Sequence, residues 1–349
     1  MDASFLRAVA KTLVMALSGA TLAIWIKLPL PWFTGPLIMV AGLNMSGIQL
    51  LPLPHARQAG QWIIGLALGL YFTPTMVQVV ARLASWIIAG VVFAVGLGLV
   101  GASLLRLLTG ESATTCFFAA AIGGAAEMAT QAEKHGGRVD RVAAAHSLRI
   151  MLVALLVPLT LQWLGLEGSD PYAPASTTFD PAGFAVLVAV TGGAAFVLAR
   201  LGVPNAFMLG PLLATAAITA AGFAWSSLPT PLLNAGQLLI GIALGSRFAP
   251  EFFRAAPRYL AAVALLTLTY LGLSALFGAW LAHMAGLATA TAVLATTPGG
   301  IGEMAITAKV LKLGAPIVTA FHSIRMALVV LVIGALFRGV AWTRRRSRV

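Results

Sequence analysis

The chain has 349 residues, 60% of them hydrophobic and only 9% charged, with a mean hydropathy of +0.95. That is more apolar surface than a soluble core of this size could bury, so the composition excludes a soluble globular protein and indicates a polytopic membrane protein. The formal charge of +12 does not mark a nucleic-acid-binding surface, because the basic residues are spread through short loops and gathered at Arg344, Arg345, Arg346 and Arg348, the distribution that sets orientation in a bilayer.

A run of about 20 apolar residues crosses a hydrocarbon core roughly 30 Å thick. Six apolar stretches fill the first half, near 8–26, 32–48, 58–72, 84–108, 112–131 and 141–163. The first, behind Arg7 and Lys11, has the look of a signal peptide. The matching segment around Phe184 to Leu198 is internal, so it is read as a span. Residues 164–180 carry Glu167, Asp170, Asp180 and two prolines but no Lys or Arg, and read as an exposed linker. Six further stretches follow near 181–200, 204–223, 232–247, 258–282, 286–308 and 314–338. The predicted organisation is a repeat over 1–163, a linker over 164–180, a second repeat over 181–340 and a basic cytoplasmic tail over 341–349. The lone cysteine, Cys116, lies in an apolar segment and permits no intramolecular disulfide.

The two halves match at a fixed offset of 176. Gly123, Gly124, Glu127, Met128, His146, Ser147 and Arg149 recur as Gly299, Gly300, Glu303, Met304, His322, Ser323 and Arg325. Gly60, Gln61, Gly65 and Gly69 recur as Gly236, Gln237, Gly241 and Gly245. Upstream, Pro29, Gly35 and Pro36 match Pro204, Gly210 and Pro211 at 175. Charged residues are expensive inside a bilayer, so a recurring charged set in apolar surroundings is a site candidate.

Six crossings per half would put the N-terminus, the acidic linker and the basic tail on one side, against the positive-inside rule. A re-entrant fifth stretch, turning at its glycines, leaves five crossings per half, places most basic loops in the cytoplasm and inverts the second repeat. The two breaks then meet near the midplane, where secondary transporters of this construction bind their solutes. The alternative keeps the fifth stretches as broken full spans.

The candidate site is therefore Gly123, Gly124, Glu127, His146, Ser147 and Arg149 with Gly299, Gly300, Glu303, His322, Ser323 and Arg325. Glycine lets the backbone turn and opens peptide groups to a cavity, although small residues also serve close helix packing. Glu127 and Glu303 come just after each break, where a helix dipole favours a carboxylate that could bind Na⁺ or carry H⁺. His146 and Arg149 share a helical face, as do His322 and Arg325. One reading pairs Glu127 with Arg149 and Glu303 with Arg325 as buried ion pairs. Another lets the arginines or the helix N-termini receive an anionic group. No metal-ligand spacing and no nucleotide motif is present, so no cofactor, no metal and no enzymatic activity are expected.

The doubled GGxxEM…HSxR pattern, the LPxPWFTGPL and GxALG segments and the length resemble the bacterial AbrB membrane-protein family over essentially the whole chain. The resemblance implies a multi-pass protein of the bacterial inner membrane. Its members carry the labels regulator and ammonia monooxygenase, and the second would need a metal constellation absent from this pattern. The expectation is an all-α integral membrane protein with two homologous, inverted repeats, acting as a secondary transporter of a small anionic or zwitterionic solute. The alternative is a membrane-embedded sensor involved in regulation of gene expression. The expected partners are the bilayer and the solute, not nucleic acid, and the small-residue faces would permit a homodimer.

Overall fold

The computed structural model describes residues 3–51, 53–168, 172–248 and 256–346. Asp170 and Arg348, used in the sequence reading, lie outside them. Among the described residues the secondary structure is helical, without strands. Every apolar stretch read from the sequence is helical: α1 (Ala3–Trp25), α2 (Pro31–Met45), α3 (Ala56–Gly69), α5 (Ala84–Thr109) and α8 (Val139–Trp163) in the first half, and α9 (Pro181–Arg200), α10 (Ala206–Ala220), α11 (Thr230–Gly245), α12 (Pro257–Ala285) and α15 (Ala315–Arg346) in the second. Six of these, α1, α5, α8, α9, α12 and α15, are long and apolar enough to cross a membrane. The chain is a multi-pass membrane protein.

The fifth stretch of each half is two half-helices. They are α6 (Ala113–Ala120) and α7 (Ala125–Lys134), then α13 (Thr289–Thr296) and α14 (Ile301–Val310). Eight residues of helix reach only about 12 Å, well short of the roughly 30 Å hydrocarbon core, so neither α6 nor α13 crosses alone. One element was not foreseen. α4 (Pro74–Arg82) turns 93° from α3; its polar and basic residues kept it out of the apolar reading.

The helices form two compact units, each drawing on both halves of the sequence. Unit 1 comprises Met1–Arg82, Ala154–Ala255 and Ile301–Thr319. Its core is built from close helix crossings. Gly65 and Gly69 of α3 lie against the backbone of α10 at Met208 and Leu212, and Gly241 and Gly245 of α11 lie against α2 at Phe33 and Leu37. A β-carbon at any of the four would come under 3.0 Å from a carbonyl oxygen. Lipid tails supply no hydrophobic drive between helices, and small residues four apart let backbones approach and gain dispersion contact instead. α1, α4, α9, the end of α8, α14 and the start of α15 complete the unit.

Unit 2 comprises Leu83–Val153, Ala256–Gly300 and Ala320–Val349. α5 and α12 are joined by an aromatic ladder, Phe93 stacked on Phe277 at 4.0 Å and Trp86 edge-on to Trp280 at 6.0 Å. α6, α7, α13 and the longer parts of α8 and α15 fill out this unit, which holds every candidate residue except Glu303.

Candidate functional site

The two breaks are short extended segments. The backbone leaves α6 at Ala121 with φ −56 and ψ 138, and leaves α13 at Thr297 with φ −58 and ψ 142. None of Gly123, Gly124, Gly299 and Gly300 has a positive φ, so left-handed backbone is not what requires glycine here. At Gly124 the reason is space, because a β-carbon would collide with the carboxylate of Glu127, and at Gly123 it would press on Met128 and on Val329 of α15.

A helix that stops inside a bilayer leaves its last carbonyls without partners and concentrates the negative end of its dipole there. The His and Arg of each motif answer both problems. His146 Nε2 lies 2.9 Å from the Phe118 carbonyl oxygen and His322 Nε2 lies 3.0 Å from that of Leu294. Arg149 donates from Nη1 to Ala120 O at 3.4 Å; Arg325 donates from Nη1 to Thr297 O at 2.8 Å and from Nη2 to Gly299 O at 2.7 Å. Each arginine also reaches its own histidine, Nη2 to Nδ1, at 2.9 Å for Arg149 and 3.0 Å for Arg325.

Those contacts fix the histidine tautomers. A guanidinium only donates and a carbonyl only accepts, so Nδ1 must accept from arginine while Nε2 carries the proton and donates to the peptide oxygen. Both rings are then neutral, with both nitrogens engaged. A second proton on Nδ1 would face an arginine N–H, donor against donor.

The two breaks converge within unit 2. Tyr270 of α12 donates its hydroxyl to Ala120 O at 3.1 Å, and four residues on, the Ser274 carbonyl accepts from Thr296 Oγ1 at 3.2 Å. One turn of α12 thus touches the ends of both α6 and α13. On α15, Arg325 holds the second break while Met326 and Val329 lie against Gly124 and Gly123 of the first. Arg149 and Arg325 are both buried in this unit. Arg149 Nε and Ser323 Oγ are buried there without a hydrogen-bond partner. Ser147 is partly buried.

Glu127 sits in the first turn of α7, its carboxylate folded over Gly124 at the positive end of the helix dipole. The expected ion pair with Arg149 is not formed. Among the described residues of unit 2, the ion pairs are those of Arg138 and Arg141 with Glu111 and Asp140. The physical reason is that the two buried guanidiniums have the carbonyl ends of helices for partners, while Glu127 is only partly buried. Glu303 occupies the first turn of α14 in unit 1, where its charge acts on Arg247. Tyr270 was missed by the sequence reading. As a polar side chain amid an apolar stretch it was visible, but its counterpart at the 176 offset is Ala94, so the search for matched residues passed over it.

Among the described residues no three His, Cys, Asp or Glu side chains stand close enough to share a metal ion. The groups offered at the breaks are guanidinium, hydroxyl, carboxylate and peptide.

The model of a family described as "Transition state regulatory protein AbrB" matches residues 52–341. A protein of Escherichia coli named "Putative regulator AbrB" is 27% identical over 323 residues, covering 90% of this chain and 91% of its own. A Bacillus subtilis protein named "Uncharacterized protein YhjN" is 24% identical over 342 residues, covering 88% of this chain and 86% of its own.

Proposed function

The chain belongs to the AbrB family, and from that membership and the paired helix breaks we propose that it is a secondary transporter, not an enzyme, for a small anionic or zwitterionic solute. The observation that carries this reading is the pair of buried, unpartnered donors, Arg149 Nε and Ser323 Oγ, beside two interrupted helices. A buried donor without an acceptor is costly, and irregular backbone at membrane depth is tolerated where it lines protein or a cavity. An acceptor-rich group such as a carboxylate would satisfy both. In our reading the two halves are inverted repeats of five crossings each, set in the bacterial inner membrane with the acidic linker outside. The breaks bind the solute, and Glu127 and Glu303 take the coupling ion, Na⁺ or H⁺, as interrupted helices do in transporters built from such repeats.

The test is uptake of labelled amino acids and carboxylates into proteoliposomes under Na⁺ or pH gradients. Gradient-dependent uptake is expected, with Glu127→Gln and Glu303→Gln each abolishing it in protein that stays folded and monodisperse. Full activity in both variants would remove the carboxylates from the mechanism. A second reading is favoured by the name of the Escherichia coli relative: a membrane sensor that binds the solute and regulates gene expression without moving it. Ligand-induced thermal stabilisation with no flux for any solute would select that reading.

A further inference from the structure

Unit 1 holds a cavity of about 280 Å³ that uses none of the residues at the breaks. Ile64 and Leu68 of α3, Leu233 and Gln237 of α11, and Ile306 and Lys309 of α14 form most of its wall. The lining is apolar except for two nitrogen-bearing groups and the hydroxyl of Thr230. Both nitrogen-bearing groups are in unusual positions.

Gln237 is only 4% exposed and lines the cavity, and the side-chain hydrogen bonds among the described residues include none from its carboxamide. The reason can be traced through the matched residues. Its counterpart Gln61 donates Nε2 to Asn205 Oδ1 at 3.4 Å. Asn205 caps α10 with φ 51, and the equivalent cap of α2 is Leu30 with φ 50. The same backbone thus presents a carboxamide in one half and an isobutyl group in the other, and Gln237 is left facing the cavity. Lys309 is partly buried, its ammonium 5.5 Å from the centre of the Tyr71 ring. A ring face eases the burial of a cation but does not neutralise it, and the described ion pairs include none to Lys309. At the matched position the first half has Glu133, exposed to solvent.

We propose that this cavity binds a small organic monocarboxylate, the carboxylate meeting Lys309 and the amide N–H of Gln237, the apolar tail lying among Ile64, Leu68, Leu233 and Ile306. The chemistry narrows the ligand. One ammonium and one amide donor suit a single carboxylate. An amine would be repelled, a polyol would find too few partners, and a dicarboxylate would bury its second charge against leucine and isoleucine. The volume of about 280 Å³ falls just below the range of drug-sized ligand pockets, which run from about 300 Å³ upward, so the ligand is small. The inference stands apart from transport at the breaks.

The experiment measures thermal stability of the full chain in phosphatidylcholine nanodiscs with hexanoate, hexan-1-ol or hexylamine added. Hexanoate is expected to raise the melting temperature saturably, the alcohol and the amine to leave it unchanged. Lys309→Met should remove the hexanoate response, Lys309→Arg should keep it, and Gln237→Leu should weaken it about tenfold, a change of about 1.4 kcal/mol. Glu127→Gln should respond as the wild type, which separates this site from the breaks. An equal hexanoate response in Lys309→Met, or a matching response to hexan-1-ol, would overturn the proposal. So would a Lys309-dependent stabilisation by phosphatidylglycerol that eliminates the hexanoate response, since the anionic head would then belong to lipid.

Discussion

At the scale of residues, the cost of two buried arginines is met by peptide carbonyls. The sequence made the residue set legible, because Glu, His, Ser and Arg recur 176 apart in apolar surroundings. It did not make the partners legible. A buried guanidinium demands a negative partner, and the only such groups visible in a sequence are side chains, so Glu127 was the natural choice for Arg149. The partner used instead, the exposed carbonyl end of an interrupted helix, exists only once the chain has folded. It follows that Glu127→Gln and Arg149→Lys should be independent, their effects on unfolding free energy adding to within about 0.5 kcal/mol. His146→Ala and His322→Ala should each cost about 1–3 kcal/mol, since each strands a buried carbonyl and an arginine N–H together. Chemical denaturation in detergent measures both, and strong coupling between Glu127 and Arg149 would restore the ion pair.

Among the elements, the long helices follow closely from apolar length and the interrupted fifth stretches from their glycines, whereas α4 needed the structure. Gly123, Gly124, Gly299 and Gly300 announced interruptions, and none of the four takes a left-handed backbone. Gly124 leaves room for a carboxylate. Gly124→Ala should therefore swing the Glu127 carboxylate aside and leave α7 in place, at a cost of about 1 kcal/mol, because the group in the way is the end of a flexible side chain. Glu127→Ala in the same chain should recover most of that loss, a non-additivity that a double-mutant cycle on thermal unfolding would register. If the Gly124→Ala penalty persists without the carboxylate, the glycine answers to some other neighbour.

For the whole molecule, sidedness is the feature that charge bookkeeping predicts and packing does not decide. Ser176 in the linker is 9% exposed and donates to the Thr178 carbonyl, so a thiol there would react poorly. Thr177 and Lys134 are exposed, and the native Cys116 is buried, giving a quiet background. With the linker outside, Thr177→Cys should react with an impermeant thiol reagent in intact cells, and Lys134→Cys only after the membrane is opened. Labelling of both from outside would exclude the five-crossing arrangement.

The exchange of helices between halves within unit 1 also bears on how the protein is made. α3 and α2 enter the membrane early, but the helices that cross them closely, through Gly65 and Gly69 of α3 and through Gly241 and Gly245 of α11, are α10 and α11, which begin at Ala206 and Thr230. With synthesis at roughly 5–20 residues per second, α3 waits about 7–27 s for the first residue of α10. Throughout that interval Gly65 and Gly69 lack the α10 backbone they pack against in the finished protein.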